Sequence, residues 1–404
     1  MVSGHTVTNF DFDVVVVGGG GHVGLPLAIA FADRGLRVGI YDLNEVAVKT
    51  VLSGELPFME NGATEVLQRV LAAGRLDATT DPSVVSRGEH IVVVIGTPVD
   101  EHLNPDPHAV PRALDACKQH FRPSQLLVLR STVYPGVTRR VERMMADEGL
   151  GVEVAFCPER IAEGKAMEEL FSLPQIVSAR TPEIRQRAGA LFGHLTESIV
   201  ELAPEEAELA KLFTNTWRYI KFAAANQFYV MANEQGLDFD RIRGALAQDY
   251  PRASDMPGAG FAAGPCLFKD TMQLAAFTDN SFVLGHSAML VNEGLPLYLV
   301  SRLEAKYDLA NTRVGILGMA FKGESDDIRS SLSYKLKRIL EFRAKQVLCT
   351  DPYVTVDENL SSLADVLANS DVLIIGAPHK VYCDLSTELP VADVWNLLGE
   401  GTVV

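Results

Sequence analysis

Apolar residues in this chain follow two rhythms. Val14-Val15-Val16-Val17 is a fully apolar run of the kind buried on both faces in a parallel sheet. Glycines end it, and residues 25–34 then have helical character. Residues 38–42 predict the next strand, and 91–95, 126–129 and 152–156 predict three more, with helix-like segments between some of them. Strand and helix alternating in this way predict a doubly wound α/β domain over residues 1–200, after a loose start at 1–12. The rhythm changes at Pro204. Residues 205–235 contain neither proline nor glycine and place apolar side chains at helical spacing, which predicts one long helix. Shorter helices to 307 would complete a central region, 201–307. Strands at 313–317, 346–350 and 371–376, with helices at 332–343 and 360–368, predict a smaller α/β domain at 308–404. The fold class expected is therefore α/β, two Rossmann-like domains joined by a long central helix and a helical region. No repeat of fixed period and no low-complexity tract interrupts this plan.

Composition narrows the function classes. With 404 residues, 47% apolar and 22% charged, the chain can build two or three cores. Its formal charge of −16 argues against nucleic acid or an anionic membrane as a partner. The five cysteines (Cys117, Cys157, Cys266, Cys349, Cys383) are odd in number and far apart, so neither a disulfide framework nor a zinc site is expected. A metal-free protein of the reducing cytoplasm fits best. The longest apolar stretch, 14–32, is broken by Gly18 to Gly21, His22 and Pro26, and no charged-then-apolar signal segment opens the chain.

Gly19-Gly20-Gly21-His22-Val23-Gly24 fits GxGxxG between a predicted strand and helix. Glycines permit a tight turn and close approach of a pyrophosphate, which then sits at a helix N-terminus. Asp42 closes the next strand, 18 residues beyond Gly24, where a carboxylate can accept from ribose hydroxyls and repel a 2′-phosphate. The expected cofactor is NAD. His22 reads as a loop residue rather than a catalyst.

A second signal is the run Gly258-Ala259-Gly260-Phe261-Ala262-Ala263-Gly264-Pro265-Cys266, followed by Leu267-Phe268-Lys269-Asp270. Pro265 suits the first position of a helix, which would put Cys266 in the first turn, where the helix dipole favours thiolate. Asp270 follows one turn later on the same face. Spacing alone leaves Cys266 open between nucleophile and buried structural thiol; the other four cysteines read as structural. Lys211 and Asn215 are also one turn apart, on a largely apolar face of the long helix. Such a lysine is either paired structurally or placed to stabilise developing negative charge.

In combination, these motifs resemble the family of NAD-dependent nucleotide-sugar 6-dehydrogenases, which includes UDP-glucose, UDP-N-acetylhexosamine and GDP-mannose dehydrogenases. The resemblance covers almost the whole chain, in family order: Gly19 to Pro26, Gly96-Thr97-Pro98-Val99-Asp100, Ser131-Thr132-Val133-Tyr134-Pro135-Gly136, Pro158-Glu159-Arg160-Ile161-Ala162-Glu163-Gly164, Ala207-Glu208-Leu209-Ala210-Lys211 with Asn215-Thr216, the cysteine turn, and Gly318-Met319-Ala320-Phe321-Lys322 with Asp326-Asp327-Ile328-Arg329. It implies oxidation of a sugar C6 alcohol to a carboxylate with two NAD⁺, through a thiohemiacetal and a thioester on Cys266. Lys211 and Asn215 match the family's donors to the C6 oxygen, and Asp270 matches the acid that orients the lysine or a water. Thr132 with Glu159 or Glu163 matches the set that holds and activates the hydrolytic water. Gly19, Gly21, His22, Val23, Gly24, Asp42, Thr97, Pro98, Thr132 and Arg329 match cofactor positions. Glu159, Arg160, Lys211, Arg252, Phe261, Gly264, Phe321 and Lys322 match substrate positions. The family's C-terminal domain grips the nucleotide, its active site lies between the domains, and its long helix is the core of a homodimer.

Four consecutive glycines and His22 depart from the family pattern at the first turn without harm to a backbone-mediated site; the more serious departure falls at the cysteine turn. Ala262-Ala263-Gly264-Pro265 replaces a Gly-Gly pair followed by Ser or His, one residue longer, so a C6 pocket of different shape is expected. Pro158-Glu159-Arg160 and Tyr250-Pro251-Arg252 match the N-acetylhexosamine branch, whereas Cys266-x-x-Lys269-Asp270 matches the glucose and mannose branches. The expectation leans to a UDP-N-acetylhexosamine ahead of UDP-glucose, with GDP-mannose behind. The rivals are a two-electron hydroxy-acid dehydrogenase, which has no use for the thiol, and a non-catalytic nucleotide-sugar-binding protein.

Overall fold

The computed structural model describes residues 10–97, 99–100 and 102–404. The chain divides into two compact units, the first running to Leu212 and the second from Phe213. In the first the order is β1 (Phe12–Val17), α1 (Gly24–Asp33), β2 (Val38–Tyr41), α2 (Glu45–Leu52), α3 (Ala63–Ala72), β3 (Leu76–Thr79), β4 (Gly88–Val93), α4 (Ala109–Cys117), β5 (Leu126–Leu129), α5 (Val137–Asp147), β6 (Glu153–Phe156), α6 (Ala166–Ser172), β7 (Gln175–Ala179), α7 (Pro182–Phe192) and β8 (Ile199–Leu202), followed by the start of α8 (Pro204–Glu234).

These strands form one sheet in the order β3-β2-β1-β4-β5-β6-β7-β8. The first six follow the dinucleotide-binding order, which reverses direction between β1 and β4 and opens a crevice there. The apolar run of β1 explains its central place. Val14 and Val16 enter one hydrophobic cluster, Val15 and Val17 another, so helices cover both faces. Helix α1 is buried from Gly24 to Ala32, as its near-continuous apolar sequence requires.

In this sheet three strands escape the sequence reading, for different reasons. β3 and β8 are short edge strands with partly exposed residues, and β7 is fully buried but carries Gln175 and Ser178 within it. β7 also pairs antiparallel with β6, Ala155 opposite Ala179, which the strand–helix alternation does not anticipate.

The second unit contains the remainder of α8, α9 (Phe239–Ala247), α10 (Leu267–Phe277), α11 (Val283–Lys306), β9 (Arg313–Leu317), α12 (Leu332–Glu341), β10 (Gln346–Thr350), α13 (Leu363–Asn369), β11 (Val372–Ile375) and β12 (Val391–Ala392). Its sheet, β10-β9-β11-β12, is parallel throughout. α8 runs 31 residues, within a residue of expectation at each end. α11 continues through Pro296, which is itself buried. Packing of that buried face offsets the hydrogen bond and steric cost of an internal proline, about 3 kcal/mol.

Candidate functional site: strand-end loops and the cysteine turn

In the first unit the glycine turn links β1 to α1. A Cβ on Gly24 would stand 2.6 Å from the Gly18 oxygen and 2.7 Å from the Gly19 Cα, so only glycine lets the helix start that close to the turn. The Gly20 amide donates to Asp42 Oδ2 at 2.8 Å, and Asn44 N donates to Asp42 Oδ1 at 2.9 Å. The acid at the end of β2 thus braces the turn and starts the approach to α2, while staying partly exposed. Gly21 is exposed, with open space around the place a Cβ would occupy. A dinucleotide fits here: open backbone at the mouth of the turn, a helix N-terminus behind it, and a reachable carboxylate. Val23 is the residue just before α1. His22 stacks on Phe58 with ring centroids 4.0 Å apart, a packing contact at the rim.

At the ends of β4 and β5, Thr97 Oγ1 donates to the Thr132 carbonyl at 2.6 Å and Ile95 N donates to Ser131 Oγ at 2.7 Å. Two loops named by the sequence are therefore tied together. Pro98 lies outside the described residues. Glu208 on α8 holds the other end of the second loop: its carboxylate accepts from Gly136 N at 2.7 Å and Thr138 N at 2.8 Å, capping α5. The sequence contains Glu208 within a motif but gives no hint of this role.

Glu159 is buried beneath the next loop. It forms an ion pair with Arg130, itself 1% exposed, and accepts from Arg160 N at 2.6 Å and Ile161 N at 2.9 Å. One oxygen, Oε1, takes both amides and shapes the 158–161 turn, and the other is held by Arg130; the sequence points to Glu159 as a water or substrate contact. Arg160 donates to the Pro174 carbonyl. Glu163 is half-buried in the same loop, which Glu60 fixes through Gly164 N (2.9 Å) and Ala166 N (2.8 Å). Lys211 is buried on α8, one helical turn before Asn215.

In the second unit the cysteine turn is built by distant residues. Asn226 on α8 accepts from Gly260 N at 2.9 Å and donates to the Gly260 carbonyl at 3.0 Å, and it is held in turn by Asn292. The Phe261 ring is 4% exposed and meets Trp395 edge-on at 6.2 Å, so it belongs to the core and only its backbone is left for a ligand. Gly264 has φ +99°, and a Cβ there would come within 2.6 Å of the Phe321 ring. That glycine lets the turn lie flat on the loop after β9.

Cys266 is the N-cap of α10, one position before the helical turn the sequence predicts; Pro265 falls outside the helix. It is exposed, and its carbonyl accepts from Asp270 N at 2.9 Å. Asp270 is fully buried, accepts from Asn215 Nδ2 at 2.5 Å, and pairs with Lys269 at 3.2 Å. Asn215 is thus tied by its side chain to Asp270, which lies one helical turn after Cys266. Cys117, Cys157 and Cys349 are buried, and burial pushes their thiols to about 11, 12 and 12. Cys383, expected to be structural, is exposed.

After β9, Lys322 Nζ lies 5.6 Å from the centre of the Phe321 ring. Arg329 makes bidentate contacts with Asp327 at 2.6–3.0 Å, which hold its guanidinium in this turn. Arg252 sits in an exposed turn over the Tyr250 ring.

The class defined by this arrangement is an oxidoreductase built on a dinucleotide-binding sheet. Comparison with known proteins sharpens it. Family models match residues 13–196 (NAD binding domain), 205–293 (central domain) and 315–400 (UDP binding domain). The chain belongs to the UDP-glucose/GDP-mannose dehydrogenase family, and its cofactor is NAD. It is 29% identical over 387 residues to the UDP-N-acetyl-D-mannosamine dehydrogenase of Pyrococcus horikoshii, covering 93% of this chain and 91% of that one. The solved structure of that UDP-D-ManNAc dehydrogenase superposes with a TM-score of 0.88 at 28% identity, over 96% of this chain and 97% of the other. A UDP-glucose dehydrogenase from Pyrobaculum islandicum gives the same TM-score and identity, over 96% of each chain. Among the described residues, no helix is long and apolar enough to cross a membrane.

Proposed function

We propose that this protein is an NAD-dependent nucleotide-sugar 6-dehydrogenase that oxidises the C6 alcohol of a UDP-N-acetylhexosamine to the uronic acid, with UDP-glucose as the alternative substrate. The observation that carries this reading is the exposed Cys266 thiol at the N-terminus of α10, with Asn215 and Asp270 hydrogen-bonded beneath the same turn. The names of the relatives support the sugar class.

Lys211 and Asn215 donate to the C6 oxygen as it gains negative charge, a service worth a few kcal/mol per donor. Asp270 pins the Asn215 amide. Loss of the hydroxyl proton and one hydride gives the aldehyde; the Cys266 sulfur then adds to C6, forming a C–S bond and a thiohemiacetal. Loss of its hydroxyl proton and a second hydride leaves the thioester, and water breaks the C–S bond to release carboxylate and restore the thiol. Bound NAD supplies hydride acceptance at both oxidations. We assign the water to Thr132 and Glu163, because Glu159 is buried in an ion pair with Arg130 and Glu163 is the more accessible of the two acids. Lys322 would meet the diphosphate, and Arg329 and Arg252 the ligand from their loops. We read the thiol as that of a cytoplasmic enzyme. The row Phe213, Trp217, Phe228 and Met231, each more than 40% exposed on α8, supports a homodimer.

The test is stoichiometry with UDP-N-acetylglucosamine, UDP-N-acetylmannosamine, UDP-glucose and GDP-mannose offered separately. Two NADH per sugar and a product carboxylate are expected; one NADH and a free carbonyl would overturn the reading.

A further inference from the structure

The turn that leaves β9 is gripped at two points by a buried acid–imidazole pair. Asp351, just after β10, is 0% exposed at its side chain; its Oδ2 accepts from Met319 N at 2.7 Å and Ala320 N at 3.0 Å. His379, just after β11, is also 0% exposed, and its Nε2 lies 3.0 Å from the same oxygen. Its Nδ1 is 3.0 Å from Glu324 N. A backbone amide can only donate, so Nδ1 is bare and Nε2 carries the proton. Asp351 thus fixes residues 319–320, His379 fixes residue 324, and Lys322 is carried between them. Glu324 adopts φ +55°, a left-handed conformation that a non-glycine residue holds only under constraint. Its carboxylate accepts from Lys380 N at 2.7 Å, so the far side of the turn rests on the same strand end as His379.

We propose that His379 is a positioning residue: its Nδ1, through the Glu324 amide, sets Lys322 against the diphosphate of the nucleotide sugar. This rests on the reading above that Lys322 meets that diphosphate. His379 touches no substrate and acts through the turn alone.

The two ring nitrogens can be separated. His379→Asn places an amide oxygen near Nδ1 and keeps an acceptor for Glu324, whereas His379→Gln places an amide nitrogen near Nε2 and keeps only the donor to Asp351. UDP affinity is measured by calorimetry on the full chain, beside KM for each substrate and the melting temperature. His379→Gln is expected to weaken UDP binding about tenfold and raise the nucleotide-sugar KM, leaving the NAD KM and kcat unchanged; His379→Asn should stay within about threefold of the parent. Lys322→Ala is measured alone and combined with His379→Gln. If His379 works through Lys322, the double variant binds UDP no more weakly than Lys322→Ala. Full additivity, or equal losses in the Asn and Gln variants, would overturn the positioning role while leaving the Lys322 reading intact. Unchanged UDP binding in Lys322→Ala would overturn that reading and the inference with it. Should His379→Gln not fold, His379→Asn decides: a tenfold loss of UDP affinity sinks the proposal.

Discussion

The two sheets each place an aspartate at the same topological point and use it differently. In the first, Tyr41 pairs with Val17 and Asp42 follows; in the second, Thr350 pairs with Leu317 and Asp351 follows. Each acid accepts backbone amides from the turn after the neighbouring strand. Asp42 receives Gly20 and Asn44 and stays reachable. Asp351 receives Met319, Ala320, Tyr353 and Val354, takes His379 as well, and is closed to solvent. A carboxylate with unused capacity at a strand end can recognise a ligand; one whose lone pairs are all taken can only shape its surroundings. One fold motif thus appears once with its carboxylate left reachable and once as closed scaffold.

The sharpest separation between reachable and enclosed groups is expected among the cysteines. Cys266→Ala should lower kcat by at least about a thousandfold, because the covalent intermediate is lost. Cys349→Ala should leave kcat within about twofold, since its buried thiol is held mostly protonated. Steady-state rates with the preferred UDP-sugar decide this; a Cys266→Ala protein with near-parental turnover would erase the distinction.

Asp351→Asn comes next, and its effect is on stability. Burial would push this carboxyl up, but the His379 contact and the backbone donors outweigh it and hold it at about 2. A carboxyl depressed below its unfolded value near 4 stabilises the fold above that pH, and the gain is lost as pH falls from about 4 to about 2. The variant should lose about 2–3 kcal/mol at neutral pH, with a correspondingly weaker pH dependence between 4 and 2. Urea unfolding at several pH values checks both; a variant as stable as the parent would show that the His379 pair contributes nothing.

Only the Asp42 half of this contrast is legible in the sequence, because its chemistry is local. Gly19 to Gly24 and Asp42 were readable because a turn, a helix start and a strand end lie within one βαβ unit. The cysteine turn was readable to within one residue: Pro265 pointed to a helix start, and the cap falls on Cys266 instead. What stayed hidden are polar side chains that act across long separations. Asn226 holds Gly260, Glu208 caps a helix that begins beyond Gly136, and His379 reaches Asp351. Nothing beside these residues marks them as buried, and in isolation an Asn, Glu or His reads as surface. The antiparallel β7 was hidden for a related reason, since strand direction depends on its partner.

Asp42→Asn should give the smallest of these effects, and it tests the opposite arm of the comparison. The amide oxygen can still accept from Gly20 or Asn44, so the turn should hold and stability should change by less than about 1 kcal/mol. What is lost is the charge offered to the ribose hydroxyls, so KM for NAD should rise about tenfold while KM for the UDP-sugar stays put. Removing the carboxylate also removes repulsion against a 2′-phosphate, so the preference for NAD over NADP should narrow. Were Asp42→Asn to lower the melting temperature as far as Asp351→Asn while leaving both KM values alone, the two acids would be doing one job, and solvent exposure would no longer separate recognition from support.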